Sequence, residues 1–388
     1  MAFATESVRQ AWVKAWQSVG PLNTVRCMAQ WREIGSRAAA RARDVANLLT
    51  TPLLPDDLLG TINPVWSTTE PAGRVVEVRR ETADTTTLLL RTGPRWPRHR
   101  PGQYVGVGAR LEGVWHWRTY SVTSRPDDRL LAVTVTAIPG GIMSNALAHA
   151  TPVGTVLRLG PPAGEFVLPE PVPEKLLFVT AGSGVTPVMG MLRHLAATRP
   201  ETLAGAVAVH CDRTADDVVF GAELQALAGA TGMRLVERHT ALDGRLTPDA
   251  LTCLVPDWAA RQAWACGPAG LLDDLSDWWD RHGDPEALHV ERFVAPRPAE
   301  GAGTGGRVRF TASKIETHAA PGEPLMRAGE AAGALLPNGC RMGICHTCVG
   351  RLLSGAVTNL HTGERHDSPG EPVRTCVSGA AGDVDIEL

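Results

Sequence analysis

The pattern of apolar and polar positions divides the chain into parts with different rhythms. Short strand-like runs separated by Gly, Pro and Asp occupy residues 74–159, and strands at this spacing predict an antiparallel barrel. After residue 171 the rhythm becomes strand, glycine turn and helix, beginning with an apolar strand at 175–180 and a helix at 187–198. That alternation predicts a parallel sheet with crossover helices. The predicted strands of the barrel are 74–78, 86–91, 103–107, 117–122, 130–137 and 156–159.

The rest of the chain forms an extension, a tether and a small C-terminal module. The first 65 residues show a helical pattern that prolines interrupt towards its end. A stretch rich in Pro, Gly and Ala without apolar periodicity predicts a flexible tether, and short apolar runs with one helical stretch follow it. The predicted domains are a helical N-terminal extension (1–65), an antiparallel β-barrel (66–172), an α/β parallel-sheet domain (173–295), the tether (296–306) and an α+β module (307–388).

Composition narrows the class of protein. With 44% hydrophobic and 20% charged residues over 388 positions, the chain has the composition of an ordinary globular protein. Its formal net charge of −3 argues against a general nucleic-acid binder, which would carry a basic excess. Because the sequence has no run of about 18 apolar residues and no secretory signal, we predict a cytoplasmic protein.

The N-terminal extension leaves two interpretations open. Residues 1–50 carry seven basic residues against three acidic ones, together with three tryptophans. A basic segment with tryptophans can lie on an anionic membrane surface, which would place the protein peripherally at the inner face of the membrane. The alternative is a helical extension that packs on the rest of the protein.

Four cysteines near the C-terminus have the spacing of an iron–sulfur site. Cys340, Cys345 and Cys348 follow a C-x4-C-x2-C pattern, and Cys376 stands alone downstream. This is the plant-type ferredoxin spacing, in which thiolates hold a [2Fe–2S] cluster. Four cysteines also suit tetrahedral zinc, but zinc sites usually show two paired cysteine knuckles. The sequence therefore favours the cluster, with a structural zinc site as the alternative.

A second motif, Arg-Thr-Tyr-Ser at 118–121, lies on a predicted barrel strand. The ring of Tyr120 can lie flat on a flavin, the Ser121 hydroxyl can hydrogen-bond to it, and Arg118 can neutralise a pyrophosphate. Downstream, Gly-Gly-Ile-Met-Ser at 140–144 opens a short helix whose N–H groups and hydroxyl can bind phosphate. Taken singly, the two motifs can also be a half-buried strand and a plain glycine turn.

A glycine-rich turn at 181–187 follows the first strand of the predicted parallel sheet. Here Gly182 and Gly184 allow the backbone to approach a pyrophosphate at the positive end of a helix. The sequence Cys-Gly-Pro at 266–268 follows another predicted strand, and so lies at the carboxyl edge of the same sheet, where ligands bind in open α/β sheets. Cys266 is therefore either a neighbour of a nicotinamide ring or a packed core residue.

In combination these motifs resemble the ferredoxin–NADP reductase superfamily, specifically its single-chain members with a C-terminal plant-type ferredoxin. The resemblance covers residues 66–388 and implies FAD in the barrel, NAD(P)H on the parallel sheet and a [2Fe–2S] cluster in a β-grasp module. It also matches Glu-Arg-Phe at 291–293 to the Glu-x-Phe of the family, where the aromatic ring shields the flavin and the acid lies near the hydride path.

The resemblance also implies the roles of individual residues. Catalysis is assigned to Ser121, Cys266, Glu291 and Phe293. Cofactor binding is assigned to Arg118, Thr119, Tyr120, Ser121, Gly140, Gly141, Met143, Ser144, Gly182, Ser183, Gly184, Thr186, Pro187, Arg213, Cys266, Gly267, Pro268 and Phe293. The form Gly-Ile-Met-Ser at 141–144 is similar to FAD-dependent rather than FMN-dependent members.

As a function, the resemblance implies electron transfer from NAD(P)H through FAD and the cluster to an external redox protein. The run 116–121 and the extension ending at 64–66 look like actinobacterial reductases that supply membrane acyl-CoA desaturases, so a desaturase of the stearoyl-CoA type is the predicted acceptor. The alternative acceptors are a Rieske oxygenase, an alkane hydroxylase or a cytochrome P450, because the domains would be identical. The non-catalytic alternative is a redox-sensing or zinc-stapled nucleotide-binding protein.

The choice between NADPH and NADH depends on the loop after the second strand of the nucleotide domain. Arg213 can pair with a 2′-phosphate and favours NADPH, whereas Asp212 can bind a ribose hydroxyl and favours NADH. Arg234 is a second basic candidate. The narrower resemblance adds to the prediction of NADPH.

Overall fold

The computed structural model describes residues 63–67, 71–93, 96–111, 113–293, 303–337, 343 and 348–388. The chain divides after Thr69, and before this point one 3₁₀ turn is described, Pro64–Trp66, where the side chain of Asn63 accepts a hydrogen bond from the N–H of Val65 at 3.3 Å. The helical extension predicted for residues 1–62 lies outside the described residues. Among the helices that the structure does describe, none combines the length and the apolar composition that a membrane crossing requires.

Within the described residues, six antiparallel strands and one helix form the first domain. They are β1 (Ala72–Arg80), β2 (Thr85–Thr92), β3 (Tyr104–Leu111), β4 (Val114–Ser121), β5 (Leu131–Thr136), α1 (Ile142–His149) and β6 (Val156–Leu159). The strand order is β4-β3-β6-β1-β2-β5, and a bridge between Val122 and Val133 links the end of β4 to β5 and closes the sheet into a barrel. The interior is apolar because alternate residues point inwards, as Val105 and Val107 do on β3. Helix α1 buries Met143 in the same core.

Strands β3 and β4 are longer than the sequence predicts. Gly106 and Gly108 dilute the apolar pattern of β3, so the pattern alone ends this strand at residue 107. In the structure Gly108 pairs with Trp117 on β4, and a Cβ at Gly108 would lie 2.7 Å from the indole ring. Gly108 therefore leaves room for the indole ring of Trp117 on the neighbouring strand and does not mark a turn.

A parallel sheet with flanking helices forms the second domain. Its elements are β7 (Leu176–Ala181), α2 (Val185–Thr198), α3 (Pro200–Ala204), β8 (Val207–Asp212), α4 (Gly221–Thr231), β9 (Arg234–His239), α5 (Thr240–Asp243), α6 (Pro248–Leu254), β10 (Gln262–Cys266), α7 (Ala269–His282) and β11 (Leu288–Glu291). The strand order is β11-β10-β7-β8-β9, with every neighbouring pair parallel. The chain changes direction between β7 and β10, and such a switch point opens a crevice at the carboxyl ends of the strands.

Each face of this parallel sheet has its own apolar core. Phe178 and Trp264 lie in one core, and Leu177 and Trp279 lie in the other. This division follows from the alternation of side chains along a strand, which sends neighbouring residues of β7 to opposite faces. The continuous apolar run that identified β7 in the sequence is the consequence of burial on both faces.

The C-terminal domain combines a mixed sheet with a short helix. Its elements are β12 (Gly306–Phe310), β13 (Ile315–Ala319), α8 (Leu325–Ala331), β14 (Val349–Ser354), β15 (Val357–Asn359), β16 (Arg365–His366), β17 (Pro372–Arg374), β18 (Ser378–Ala380) and β19 (Val384–Glu387). Five strands pair in the order β13-β12-β19-β14-β17, and three more pair in the order β16-β15-β18. Strands β12 and β19 are parallel, and α8 packs on this sheet with Leu325 and Ala328 beside Phe310.

Four residues that the sequence pattern assigns to the tether, 303–306, lie in the C-terminal domain. The N–H of Gly305 donates to the carbonyl of Ala380 and its own carbonyl accepts from Gly382, both at 3.0 Å. Gly305 has a φ of +73°, and a Cβ there would lie 2.7 Å from the carbonyl of Ala319. The glycines of this segment thus allow close contact between backbones, and they do not form a flexible linker here. Residues 296–302 of the predicted tether lie outside the described residues.

Candidate functional site

The glycine-rich turn after β7 lies against the end of β10. Gly182 has a φ of +54°, in the left-handed region that glycine favours. A Cβ on Gly184 would overlap the carbonyl oxygen of Cys266, so only glycine allows this approach. The hydroxyl of Thr186 donates to the carbonyl of Ser183 at 2.9 Å and fixes the turn where α2 begins. The first N–H groups of α2 are therefore presented at the switch point of the sheet, where an anion can bind.

Three strands end in register beside this turn. Cys266 on β10 is aligned with Thr180 on β7 and with Glu291 on β11. Gly267 continues from Cys266 with its Cα close to Ala181, where an added Cβ would lie 3.1 Å from the Ala181 Cβ. The structure thus brings together the glycine turn, the Cys-Gly-Pro sequence and the glutamate that the sequence analysis singled out separately.

Burial governs the protonation of Cys266 and Glu291. Cys266 has no exposed surface, and burial, with the nearby Glu291 carboxyl as a smaller cause, raises the pKa of its thiol well above the usual range. Burial also raises the pKa of Glu291 from 4.5 to about 8. Glu291 Oε2 is buried and has no hydrogen-bond partner among the described residues. The site therefore holds a neutral thiol and, at pH 7, a protonated carboxyl group with an unpaired oxygen.

The Arg-Thr-Tyr-Ser motif occupies the end of β4. Tyr120 packs against the barrel core, and burial raises the pKa of its hydroxyl. Arg118 is half-buried, and its Nη1 donates to the carbonyl of Trp117 at 2.7 Å. Ser121 is almost fully buried, and its Oγ has no hydrogen-bond partner among the described residues. An unpaired buried hydroxyl is costly, so this serine fits a site that a polar ligand completes.

The Gly-Gly-Ile-Met-Ser segment starts α1 as the sequence predicts. Gly140 has a φ of +71°, and Gly141 is the N-cap residue of the helix. The Oγ of Ser144 accepts from the N–H of Ile138 at 3.3 Å, which holds the turn closed. The side chain of Met143 is buried in the barrel core, so its contribution to a ligand is limited to its backbone N–H. These N–H groups can bind a phosphate at the helix start.

The loop that follows β8 contains an exposed cation, Arg213, and a largely buried carboxylate, Asp212. Asp212 Oδ1 accepts from the N–H of Arg213 at 2.9 Å, and Oδ2 lies 3.6 Å from His210 Nε2. His210 is buried, and Thr180 Oγ1 hydrogen-bonds to its Nδ1 at 2.8 Å. Arg213 is 77% exposed and pairs with Asp217 at 3.1 Å. Thr180 and His210 are not among the predicted site residues, although a polar residue at the end of each of two apolar strands indicates a ligand-binding edge of the sheet.

Three of the remaining candidate residues, Phe293, Pro268 and Pro187, lie in the nucleotide domain, and Thr119 lies in the barrel. Phe293 follows β11 and packs half-buried against the core that contains Phe178 and Trp264. Pro268 is exposed as the N-cap residue of α7, whereas Pro187 is buried in the first turn of α2. Thr119 on β4 is half-buried and pairs with Gly106.

Two of the four motif cysteines lie within the described residues. The sulfur atoms of Cys348 and Cys376 are 3.1 Å apart and both residues are buried. The hydroxyl of Thr375 donates to the carbonyl of Cys348 at 2.9 Å, and Arg374 Nη1 donates to the carbonyl of Gly343 at 2.7 Å. These bonds hold two thiols side by side, as two ligands of one metal atom require. Cys340 and Cys345 lie outside the described residues.

Comparison with known proteins identifies all three domains. Residues 73–168 match the family model of an oxidoreductase FAD-binding domain. Residues 178–277 match that of an oxidoreductase NAD-binding domain, and residues 308–381 match that of a 2Fe-2S iron-sulfur cluster binding domain.

Curated relatives match most of the length of this chain. The chain is 47% identical to an NADPH oxidoreductase of Mycobacterium tuberculosis, over 89% of this chain and 92% of that protein. It is 28% identical to the glycine betaine monooxygenase reductase subunit of Pseudomonas aeruginosa, over 84% of this chain and 98% of that protein. Among solved structures it is similar in fold to phthalate dioxygenase reductase, with a TM-score of 0.59 and 22% identity over 82% of this chain and 98% of that chain.

The chain therefore belongs to the ferredoxin–NADP reductase superfamily, as a single-chain reductase with a C-terminal [2Fe–2S] domain. It is an NAD(P)H-dependent oxidoreductase that uses FAD and a [2Fe–2S] cluster. The described residues fit these groups: a buried unpaired hydroxyl at Ser121, a turn that admits only glycine at Gly184, and paired thiols at Cys348 and Cys376.

Replacing Glu291 with Gln should change how stability depends on pH. The folded protein holds the Glu291 proton up to about pH 8, whereas an ordinary carboxyl group loses it near 4.5. The contribution of Glu291 to stability therefore decreases as pH rises from about 5 to 8, by at most about 1.4 kcal/mol per pH unit. Glu291→Gln removes that decrease, which urea unfolding of the FAD-saturated protein at several pH values can measure.

The exposed Glu286 supplies the matched control for this experiment, and Glu286→Gln should leave the pH dependence of the wild type unchanged. If the stability curves of Glu291→Gln and the wild type run parallel between pH 5 and 8, burial does not raise the pKa of Glu291.

Replacing Cys348 with Ser should remove the cluster and leave the flavin. Loss of one of four thiolate ligands should lower retention of the cluster by about tenfold or more. We expect the visible absorption spectrum to keep its flavin bands and lose its iron–sulfur bands. Cys253→Ser is the control, because Cys253 is exposed and lies in the nucleotide domain. Intact iron–sulfur bands in Cys348→Ser would show that another residue serves as the ligand.

Proposed function

We propose that the protein passes electrons from NADPH through FAD and the [2Fe–2S] cluster to an acyl-CoA desaturase of the stearoyl-CoA type. In this proposal residues 66–172 bind FAD, residues 173–295 bind NADPH and residues 307–388 bind the cluster. The observation that supports the site is the alignment of Thr180, Cys266 and Glu291 at one sheet edge, with the glycine turn seated on Cys266.

The residues of the nucleotide domain bind and orient the nicotinamide cofactor. The Gly182–Gly184 turn and the start of α2 offer N–H groups to the pyrophosphate. The neutral thiol of Cys266 and the protonated carboxyl of Glu291 flank the adjacent space without adding a charge to it. Glu291 Oε2, which is buried and unpaired among the described residues, can hold a proton or accept a hydrogen bond there. Phe293 covers this edge and limits the access of water.

The residues of the barrel bind FAD. Tyr120 offers an aromatic face, Ser121 a buried hydroxyl and Arg118 a positive charge, while the start of α1 offers N–H groups to a phosphate. When bound, FAD and the cluster supply the conversion from hydride transfer to single-electron transfer. The protein supplies the alignment of the groups and the exclusion of water.

The loop after β8 supports the preference for NADPH. Asp212 Oδ1 accepts from the N–H of Arg213, whereas the buried Oδ2 has no hydrogen-bond partner among the described residues and can accept from a ribose hydroxyl of either nicotinamide. The cation of Arg213 is the exposed group of the pair. Its ion pair with Asp217 lies at the surface and is weakened by solvent screening, so a 2′-phosphate can replace that partner. The relative from M. tuberculosis bears the name NADPH oxidoreductase, which also supports this choice.

The proposed acceptor is supported by the sequence resemblance in the run 116–121 and in the extension that ends at 64–66. Residues 1–50, with seven basic residues and three tryptophans, are suited to an anionic surface beside a membrane-bound desaturase. The proposal therefore includes a cytoplasmic protein with peripheral contact at the inner face of the membrane.

A reductase for an oxygenase is the second candidate function. It is favoured by the similarity to the glycine betaine monooxygenase reductase subunit, which extends over 84% of this chain. The two candidate functions require the same flavin and nucleotide sites. They differ in the protein that accepts electrons from the cluster domain.

Reconstitution with defined acceptors separates these candidates. The full chain, NADPH and desaturase-containing membranes should convert stearoyl-CoA to its desaturated product, and Cys348→Ser should abolish the conversion. A chain that begins at residue 60 should transfer electrons to small acceptors normally but sediment less with anionic vesicles. Rapid reduction of a Rieske oxygenase with no turnover of the desaturase would contradict the first candidate.

Replacing Arg213 with Gln should weaken the use of NADPH and spare that of NADH. Loss of a charge-assisted contact worth about 1.5–3 kcal/mol lowers kcat/KM for NADPH by roughly 10- to 100-fold. The value for NADH should stay within about threefold, as measured by steady-state kinetics with a small one-electron acceptor. Arg234→Gln tests the second basic candidate, and Arg281→Gln, on the exposed end of α7, is the matched control. An equal loss for both nicotinamides would exclude a 2′-phosphate contact.

A further inference from the structure

Helix α2 is in direct contact with both cofactor-binding regions of the protein. Its first turn follows Gly182–Gly184, and its middle lies against the residues after β4. A Cβ on Gly190 would lie 2.6 Å from the carbonyl oxygen of Val122, which directly follows Ser121. Arg193 lies eight residues after the start of the helix, which corresponds to about 12 Å along its axis. A small rotation about this contact therefore moves the glycine turn relative to the barrel.

The Arg193 side chain makes the polar connection across this contact. Its Nη1 donates to the carbonyl of Thr123 at 2.7 Å, and Thr123 lies two residues after Ser121. Its Nε and Nη2 donate to the two oxygens of Glu223 at 2.7 and 2.6 Å. The guanidinium group also lies over the ring of Phe220, 4.9 Å from its centre. One side chain thus joins the barrel, α2 and the start of α4, and the planar fork of arginine fits all of these partners together.

Two features beside Arg193, the backbone conformation of Phe220 and a groove between the domains, support a specific role for its hydrogen bonds. Phe220 is buried and has a φ of +63°, which is a costly conformation for a residue with an aromatic side chain. On the outer flank of the contact a groove of about 590 Å³, lined by Leu89, Ser124 and Glu223 among others, separates the barrel from α2 and α4. Because packing is absent in that groove, the hydrogen bonds of Arg193 hold the two domains together on this side.

We propose that Arg193 is a positioning residue that sets the alignment of the nicotinamide with the flavin, by tying α2 to the backbone that follows Ser121. This inference rests on the proposed function, which locates FAD beside Ser121 and NAD(P)H at the glycine turn. Arg193 touches neither cofactor in this arrangement. Its effect is on the rate of hydride transfer, because a displacement of about 1 Å between reacting groups can cost roughly 100-fold.

The test is the rate of flavin reduction in stopped-flow experiments with the full, FAD- and cluster-loaded chain. Arg193→Met should lower this rate by about 10- to 100-fold, while the Kd for the oxidised nicotinamide and the FAD content stay within about threefold. Arg193→Lys, which keeps the positive charge but lacks the planar fork of the guanidinium group, should restore part of the rate. Glu223→Gln keeps the bond to Thr123 and should have the smaller effect. Arg281→Met, on an exposed part of α7, is the matched control.

Two results would overturn the inference: an unchanged rate in Arg193→Met, or a fall in rate with an equal loss of FAD content or nicotinamide affinity. The second result would mean that Arg193 only maintains the fold. The measurement needs no protein acceptor and uses whichever nicotinamide reduces the wild-type flavin, so it is independent of the proposed desaturase and of NADPH preference. Ser121→Ala tests the proposed flavin location separately: an unchanged flavin spectrum and rate in that variant would contradict this location, which is a premise of the role of Arg193, whereas an altered spectrum in Ser121→Ala with an unchanged rate in Arg193→Met would overturn the role of Arg193 alone.

Discussion

The contact between Gly184 and the carbonyl oxygen of Cys266 is the constraint on which the site depends. A side chain at Gly184 would overlap that oxygen, so the turn after β7 can rest on the end of β10 only with glycine at this position. The contact places the start of α2 over the switch point of the sheet, beside Thr180 and Glu291. It also fixes the origin of the helix that reaches the barrel through Gly190 and Arg193. Helix α2 therefore helps to set how the flavin and nucleotide domains lie relative to each other, together with Phe166 and Leu168, which pack into the core of the nucleotide domain.

Much of the fold and of the site could be predicted from local sequence. The apolar run of β7, the glycine turn and the Cys-Gly-Pro sequence are each contiguous, and strand order at a switch point brings them together without further information. The spacing of the four cysteines predicted the cluster domain for the same reason, since the ligands lie mainly in one loop. These features could be predicted because each is specified by the residues of one short segment of the chain.

Other features depend on contacts between distant parts of the chain and could not be predicted. The glycines at 303–306 look like a linker in the sequence, and only their pairing with Ala380 and Gly382 shows that they begin a domain. Gly108 ended a predicted strand too early because its partner, Trp117, lies on the next strand. Arg193 stands in an apolar helix, and the sequence gives no indication that Thr123, 70 residues earlier, is the acceptor of its hydrogen bond. Cross-domain partners of this kind require the tertiary structure.

All of these features serve one process, in which a single chain delivers electrons from a nicotinamide through a flavin to its own iron–sulfur cluster. The most direct measurement is an anaerobic titration of the purified full chain with NADPH, followed by visible absorption. We expect the flavin and iron–sulfur bands both to bleach, without any added protein. Bleaching of the flavin bands with an iron–sulfur spectrum that stays fully oxidised would contradict this expectation.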